Sequence, residues 1–134
     1  MRHAALSRLL ALSLVLEVGG CLTEPNAGVV QGVFGGYLLG VTATVHEARY
    51  DFACGRGVTG PLRIGSDGTA IARGLVWGFS AGTFTDSLLV VARLHGNLLD
   101  VTHTIVSGGT PHTGRTVLRL GAAPDFSGVA CPAG

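Results

Sequence analysis

From Val29 onward, apolar and polar residues alternate with a period near two, and glycine-containing turns interrupt the pattern at short intervals. That period is the signature of half-buried strands, because successive side chains leave a strand on opposite faces. Val29 to Phe34 reads as a first strand, Gly35-Gly36 as a two-residue hairpin turn, and Tyr37 to Ala43 as the return strand. After a turn at Val45-His46-Glu47, Ala48 to Cys54 alternates cleanly: Ala48, Tyr50, Phe52 and Cys54 point one way, Arg49 and Asp51 the other. On this pattern Cys54 belongs to the core face. Cys54-Gly55-Arg56-Gly57 breaks the strand, Gly60-Pro61 restarts it, and Leu62 and Ile64 form the short next strand. Ser66-Asp67-Gly68 is a strong turn signal.

Thr69 to Trp77 is a long strand with small residues on one face (Ala70, Ala72, Gly74, Val76) and large ones on the other (Ile71, Leu75, Trp77). Either face could be inside; small residues suit a crowded barrel interior, which would leave Ile71 and Trp77 half exposed. Gly78 to Thr85 reads as a loop in which Phe79 and Phe84 pack over a barrel end or, alternatively, fold down as a lid. Ser87 to Leu94 is strongly apolar, Gly96-Asn97 is a hairpin turn, and Leu99, Val101, His103 and Ile105 share the next inward face. Ser107 to Gly114 reads as a loop, Thr116, Leu118 and Leu120 as one face of a strand, and Phe126 to Cys131 as the last segment. The prediction is an all-β domain over residues 29–134, a small antiparallel up-and-down β-barrel of about eight strands whose closure hides both sheet edges.

Met1 to Cys21 follows a different pattern. Arg2 and Arg8 precede an apolar run, Leu9 to Leu16, which ends in Val18-Gly19-Gly20-Cys21. A charged start, a short apolar core and small residues before a cut site read as a secretory signal helix over residues 1–20. The run is too short for the ~20 residues a spanning helix needs. Gly19-Gly20-Cys21 further resembles the lipobox of bacterial lipoproteins, which implies cleavage before Cys21, acylation of Cys21 and attachment to a membrane through that lipid. The alternative is a plain secretory signal cut nearby. Residues 21–28 then form a short tether, reaching roughly 25 Å at full extension. Leu22 is not the aspartate that resembles an inner-membrane retention signal, so the outer membrane of a bacterial envelope is the expected address.

The charge balance narrows the partners. Nine arginines, no lysine and eight acids become seven and seven once Arg2, Arg8 and Glu17 are removed with the signal. A nucleic-acid surface needs clustered positive charge, and none is visible along the chain. With Cys21 carrying lipid, Cys54 and Cys131 are left, and in an oxidising compartment they are expected to pair. A bridge across their roughly 77-residue loop is worth on the order of 4 kcal/mol in the chain-entropy account. The alternatives are two free buried thiols or, with no CxxC or HxxxH spacing in their support, a metal site.

The run Tyr50-Asp51-Phe52-Ala53-Cys54-Gly55-Arg56-Gly57, with Gly35-Gly36, Gly60-Pro61-Leu62, Asp67-Gly68, Gly96-Asn97, Ala123-Pro124 and Cys131, resembles a family of small exported bacterial β-domains. The resemblance spans roughly Val29 to Cys131 and implies a structural disulfide; the family has no established activity. The chain departs from the pattern at His103, where an aliphatic residue is usual, and at Arg56, where a histidine is common.

No phosphate loop, zinc helix, nucleophile elbow or dinucleotide fingerprint is present. No catalytic residue, cofactor or metal is therefore expected. His103, flanked on its face by Val101 and Ile105, should point inward and needs a hydrogen-bond partner there. It is either a satisfied core histidine or the polar floor of a ligand cavity to which Tyr50 and Trp77 would contribute. The functional expectation is a lipid-anchored, non-enzymatic structural or interaction module. Binding of a small apolar ligand inside the barrel, as in lipocalin- or avidin-like proteins, is one alternative; an envelope enzyme, or an inhibitor of one, is another.

Overall fold

The structure is a computed structural model that describes residues 28–79 and 85–131. The signal segment, Cys21 and most of the tether lie outside the described residues, as does Phe84. Eight strands follow one another: β1 Gly32–Gly36, β2 Leu39–Ala43, β3 Ala48–Phe52, β4 Gly55–Thr59, β5 Thr69–Trp77, β6 Asp86–His95, β7 Leu98–Ser107 and β8 Thr110–Leu120. Each pairs antiparallel with the next, and β8 returns to β1 to close the barrel. The closing seam is short, Phe34 beside Leu120 and Gly35 beside Arg119.

The alternation does what the pattern requires. Phe34, Leu39, Val41, Tyr50, Ala70, Ala72, Val76, Leu88, Val90, Leu99, Val101 and Leu118 are all buried and belong to one cluster. As the small-inside reading of β5 demands, Ile71 and Trp77 are exposed. Leu62 and Val30 plug the end of the barrel where β4 leaves and β1 enters; the Val30 N–H donates to the Leu62 carbonyl at 2.9 Å, and both side chains are buried.

Several local expectations are corrected. Gly35 and Gly36 are strand residues, and the β1–β2 turn is Tyr37-Leu38, with Leu38 at φ 63°. Glycine is needed at position 35 for proximity: a Cβ there would lie 2.3 Å from the Ala122 carbonyl oxygen. What lies over it is the chain after β8. Residues 121–131 are not a final strand but a strap that crosses the outside of β1 and β2, with Pro124 seated on Gly40. The strap also supplies the chemistry that the turn lacks. The Leu38 N–H donates to the Asp125 carbonyl, and the Asp125 N–H donates to the Gly36 carbonyl, each at 2.9 Å. A left-handed leucine persists because its surroundings over-determine it.

Ser107 to Gly114 is likewise not a loop. Only Gly108-Gly109 turn, and Thr104 and Thr113 join hydroxyls across the two strands at 3.0 Å. Leu62 and Ile64 form no strand; the segment makes isolated bridges, Arg63 to Val29 and Ile64 to Ala70. The turn after β2 takes its chemistry from Thr44, whose hydroxyl accepts the N–H groups of His46 and Glu47 at 3.2 Å each. Cys54 lies in the β3–β4 turn, half-buried, and not on the core face of β3. It is bridged to Cys131, with Cα atoms 5.2 Å apart. Barrel closure alone does not bring the two together. β8 ends at the opposite end of the barrel from Cys54, and the strap carries Cys131 back along the wall.

Candidate functional site

The side chains singled out by the sequence gather, in part, at the disulfide end of the barrel. Tyr50 from β3 is fully buried, its hydroxyl sharing a hydrogen bond with the Thr59 hydroxyl of β4 at 3.0 Å. Burial pushes the Tyr50 phenol up to about 12, against a smaller opposing effect of the Thr59 hydrogen bond. The hydroxyl is therefore a neutral donor or acceptor at any physiological pH and no general base. Phe52 lies two residues along the same face, its ring 6.3 Å from Tyr50, 5.3 Å from Phe79 and 5.1 Å from His103. Phe52, Phe79 and His103 thus stack edge to face as a lid of rings over the core.

His103 projects inward from β7 and is half-buried. Its ring occupies the space that a side chain at position 114 would take: a Cβ there would sit 2.7 Å from the His103 Cε1. His103 Nδ1 is buried without a hydrogen-bond partner. Burial holds the imidazole below its ordinary range, so the neutral form is favoured. Among the described residues the hydrogen-bond partner that a buried imidazole requires is missing.

Trp77 is not brought to this place. It leaves β5 on the outer wall, beside Arg56 of β4. Of the three candidate ligand residues, Tyr50 and His103 are inside, separated by Phe52, and Trp77 is outside. The middle of the barrel is filled. Leu99, Val101, Val90 and Leu118 are fully inaccessible to solvent, as is Tyr50 to within 1 %. A water-sized void beside any of them would leave accessible surface, whereas ligand pockets run to roughly 300 Å³ and above. Open concavities among the described residues include one of about 810 Å³ at the rim between Phe52, Cys54, Arg56, Trp77 and Phe126, one of about 660 Å³ on the outer wall around Arg49, Asp51 and Arg56, and one of about 470 Å³ around Arg93, Asp100 and Arg115.

Three ion pairs lie on the outside of the barrel among the described residues. Arg115 donates from Nε and Nη2 to the two Asp100 oxygens at 2.9 and 2.5 Å. This hydrogen-bonded pairing lowers the Asp100 carboxyl below its usual range. Arg56 and Asp51 approach to 3.8 Å, and Arg49 binds Glu47 at 2.5 Å. Among the described residues no three His, Cys, Asp or Glu side chains form a group that could hold a metal ion. No helix among them is long and apolar enough to cross a membrane.

Sequence reasoning missed three features here. The Phe52–Phe79–His103 lid needs the barrel's closure, and the Asp100–Arg115 pair needs the β7–β8 register, which the mistaken loop at residues 107–114 hid. The Tyr50–Thr59 pair was within reach of the strand pattern, because both residues fall on the inward faces of adjacent strands. No family model, no curated protein and no solved structure matches this chain.

Proposed function

We propose that the chain is a lipid-anchored domain of the bacterial envelope, attached through Cys21, whose barrel serves as a non-enzymatic structural or interaction module. The observation that carries the second half of this reading is the filled interior. A barrel packed to 0 % accessibility at Leu99, Val101 and Leu118 has spent its inside on stability, which leaves the outside for function. The outer wall does not follow the plan of a transmembrane barrel. The interior is apolar, the outside carries Arg49, Asp51, Asp100, Arg115 and Arg119, and β1 to β4 have five residues each where a spanning strand needs roughly 9–11. The lipobox-like Gly19-Gly20-Cys21 and the single bridge between Cys54 and Cys131 agree with export to an oxidising compartment and attachment there. Leu22 points to the outer membrane.

The test is processing in a two-membrane bacterium. The native chain should incorporate labelled fatty acid, begin at Cys21 when its mature amino end is read by mass spectrometry, and fractionate with the outer membrane. Cys21→Ser should lose the label and either leave the membrane or remain unprocessed. A Cys21→Ser chain that is cut and membrane-bound like the native one overturns the anchored reading.

A further inference from the structure

The outer face of β4, β5 and β6 differs from the rest of the wall. Its outward positions are Arg56 and Val58 on β4, Ile71, Arg73, Leu75 and Trp77 on β5, and Ser87, Leu89, Val91, Arg93 and His95 on β6. The register makes one surface of them: Leu75 lies beside Val58, Arg73 beside Leu89, and Ile71 beside Val91. Ile71 is 64 % exposed, Leu75 48 % and Trp77 42 %, so large apolar groups stand adjacent in solvent. Scattered apolar residues are ordinary on a protein surface; a contiguous patch needs an occupant. The three strands place three arginines on this face and no acid. Arg73 and Arg93 make no ion pair among the described residues; Arg56 pairs with Asp51, and Asp100, which lies across the β6–β7 edge opposite Arg93, is bonded to Arg115.

Apolar side chains with tryptophan at the margin and arginines among them are the chemistry that binds an anionic bilayer surface. The apolar groups enter the headgroup boundary, the indole sits at that level, and the guanidinium groups meet lipid phosphates. A second copy of the chain fits less well. A two-fold interface sets a patch against itself, and here it would bring arginines together with no acid between them. The path of the chain adds an independent reason. The Gly28 carbonyl accepts the Ile64 N–H at 2.6 Å, and Ile64 bridges Ala70 at the foot of β5, next to Ile71. Gly28, seven residues after Cys21 in the chain, therefore lies at the edge of this face.

We propose that the outer face of β4–β6 docks on an anionic phospholipid surface, so that the barrel lies on its side on the membrane. The proposal rests on the anchored reading only for the proximity of a bilayer; the recognition belongs to the face itself.

Trp77 is the chain's single tryptophan, so its fluorescence reports this face and no other. The full chain is added to vesicles of phosphatidylcholine alone, and to vesicles of equal parts phosphatidylcholine and phosphatidylglycerol. The expected result is a blue shift of Trp77 emission and protection from acrylamide on the phosphatidylglycerol vesicles only, with the effect fading as salt is raised. Arg73→Gln and Arg93→Gln, both exposed and outside the core, should each raise the lipid concentration at half-effect about fivefold while leaving the melting temperature in place. Co-sedimentation with the vesicles while Trp77 keeps its emission in buffer overturns the proposal and leaves the Cys21 anchor intact. Protection of Trp77 that grows with protein concentration in the absence of lipid overturns it in favour of an interface between copies.

Discussion

The two halves of the barrel wall are built differently. Strands β1 to β4 have five residues each, whereas β5 to β8 have nine to eleven. The long half is held by its own ladders, an unbroken antiparallel series from Thr69 to Leu120 with tight turns at Gly96-Asn97 and Gly108-Gly109. The short half is held by additions. Strands of about five residues are near the lower useful length, and a hairpin made of them is marginal alone. Here the strap of residues 121–131 lies on the outside of β1 and β2, and the disulfide pins the strap's end to the β3–β4 turn. The plug of Val30 and Leu62 fills the far end. The barrel is thus a self-supporting sheet joined to one that needs a clamp.

The largest effect should come from lifting that clamp. Gly35→Val places a side chain 2.3 Å from the Ala122 carbonyl oxygen and 2.5 Å from the Ala123 carbonyl carbon, and backbone atoms cannot swing aside. The expected cost is about 3 kcal/mol or more, read as a fall in the denaturation midpoint. Cys131→Ser should cost about 2–5 kcal/mol. The two should add to less than their sum, because a strap freed at Cys131 can rise to accommodate the added isopropyl group. In the long half, Gly96→Ala meets nothing within 4 Å and carries only the strain of a positive φ, about 1 kcal/mol. If Gly35→Val costs no more than Gly96→Ala, the short half does not depend on the strap and the comparison fails.

The same division governs what the sequence discloses. In the long half local pattern and final structure coincide except at Ser107 to Gly114, where only Gly108-Gly109 turn and β8 already begins at Thr110. The boundaries of β5 are where the alternation puts them, Gly96-Asn97 turns, and Ala70 and Ala72 face in for the steric reason that predicts it. In the short half the determinants are distant. Gly35 and Gly36 look like a turn because the strap that requires a glycine at position 35 arrives eighty-odd residues later in the chain. Tyr37-Leu38 turns against its own preferences because Asp125 holds it. Cys54 pairs as expected, but through a geometry that period-two reasoning does not contain. The candidate site divides likewise: Tyr50 and His103 are legible as inward from alternation alone, and an outward Trp77 goes with small residues inside β5, whereas the separation of Tyr50 from His103 by Phe52 follows only from closure.

A smaller effect sharpens the comparison at Tyr50, the polar group inside the short half. Tyr50→Phe removes the hydroxyl partner of Thr59, which still donates to the Gly60 carbonyl at 2.8 Å, so at neutral pH the loss should be about 1 kcal/mol. The variant should gain on the native chain in alkali. The native Tyr50 phenol titrates near 10.0 when unfolded and about 12 when folded. Above pH 10 the unfolded chain sheds a proton that the folded one retains, so native stability falls as pH rises from 10 towards 12, by about 2–3 kcal/mol in all. Tyr50→Phe should lack that alkaline limb. Urea midpoints measured across this range, with the same limb in both proteins, would show that the buried phenol is not its source.

His103 is a polar group on the inward face of the long half, and its effect should be the smallest and opposite in sign. Tyr50 has a partner; His103 Nδ1 has none, and its ring is fixed between Phe52 and the open side of Gly114. A buried polar atom without a hydrogen bond costs folding free energy that an apolar replacement does not. His103→Leu keeps the inward apolar face of Val101 and Ile105 continuous, and should therefore stabilise the barrel at neutral pH by about 1 kcal/mol or less. Acid gives a second readout. Burial holds the folded imidazole below the ordinary value of 6.5, so as pH falls past 6.5 the unfolded chain takes up a proton that the folded one refuses. Native stability is then complete above pH 6.5 and declines below it until the folded ring also protonates. The gap between His103→Leu and the native chain should widen from about pH 7 to about pH 5, and the chemical shift of His103 Hε1 should follow the depressed titration directly. A native chain that gains stability over that interval relative to His103→Leu would mean that the imidazolium is favoured in the fold. An acceptor would then face Nδ1, and the two halves would treat their buried polar groups alike.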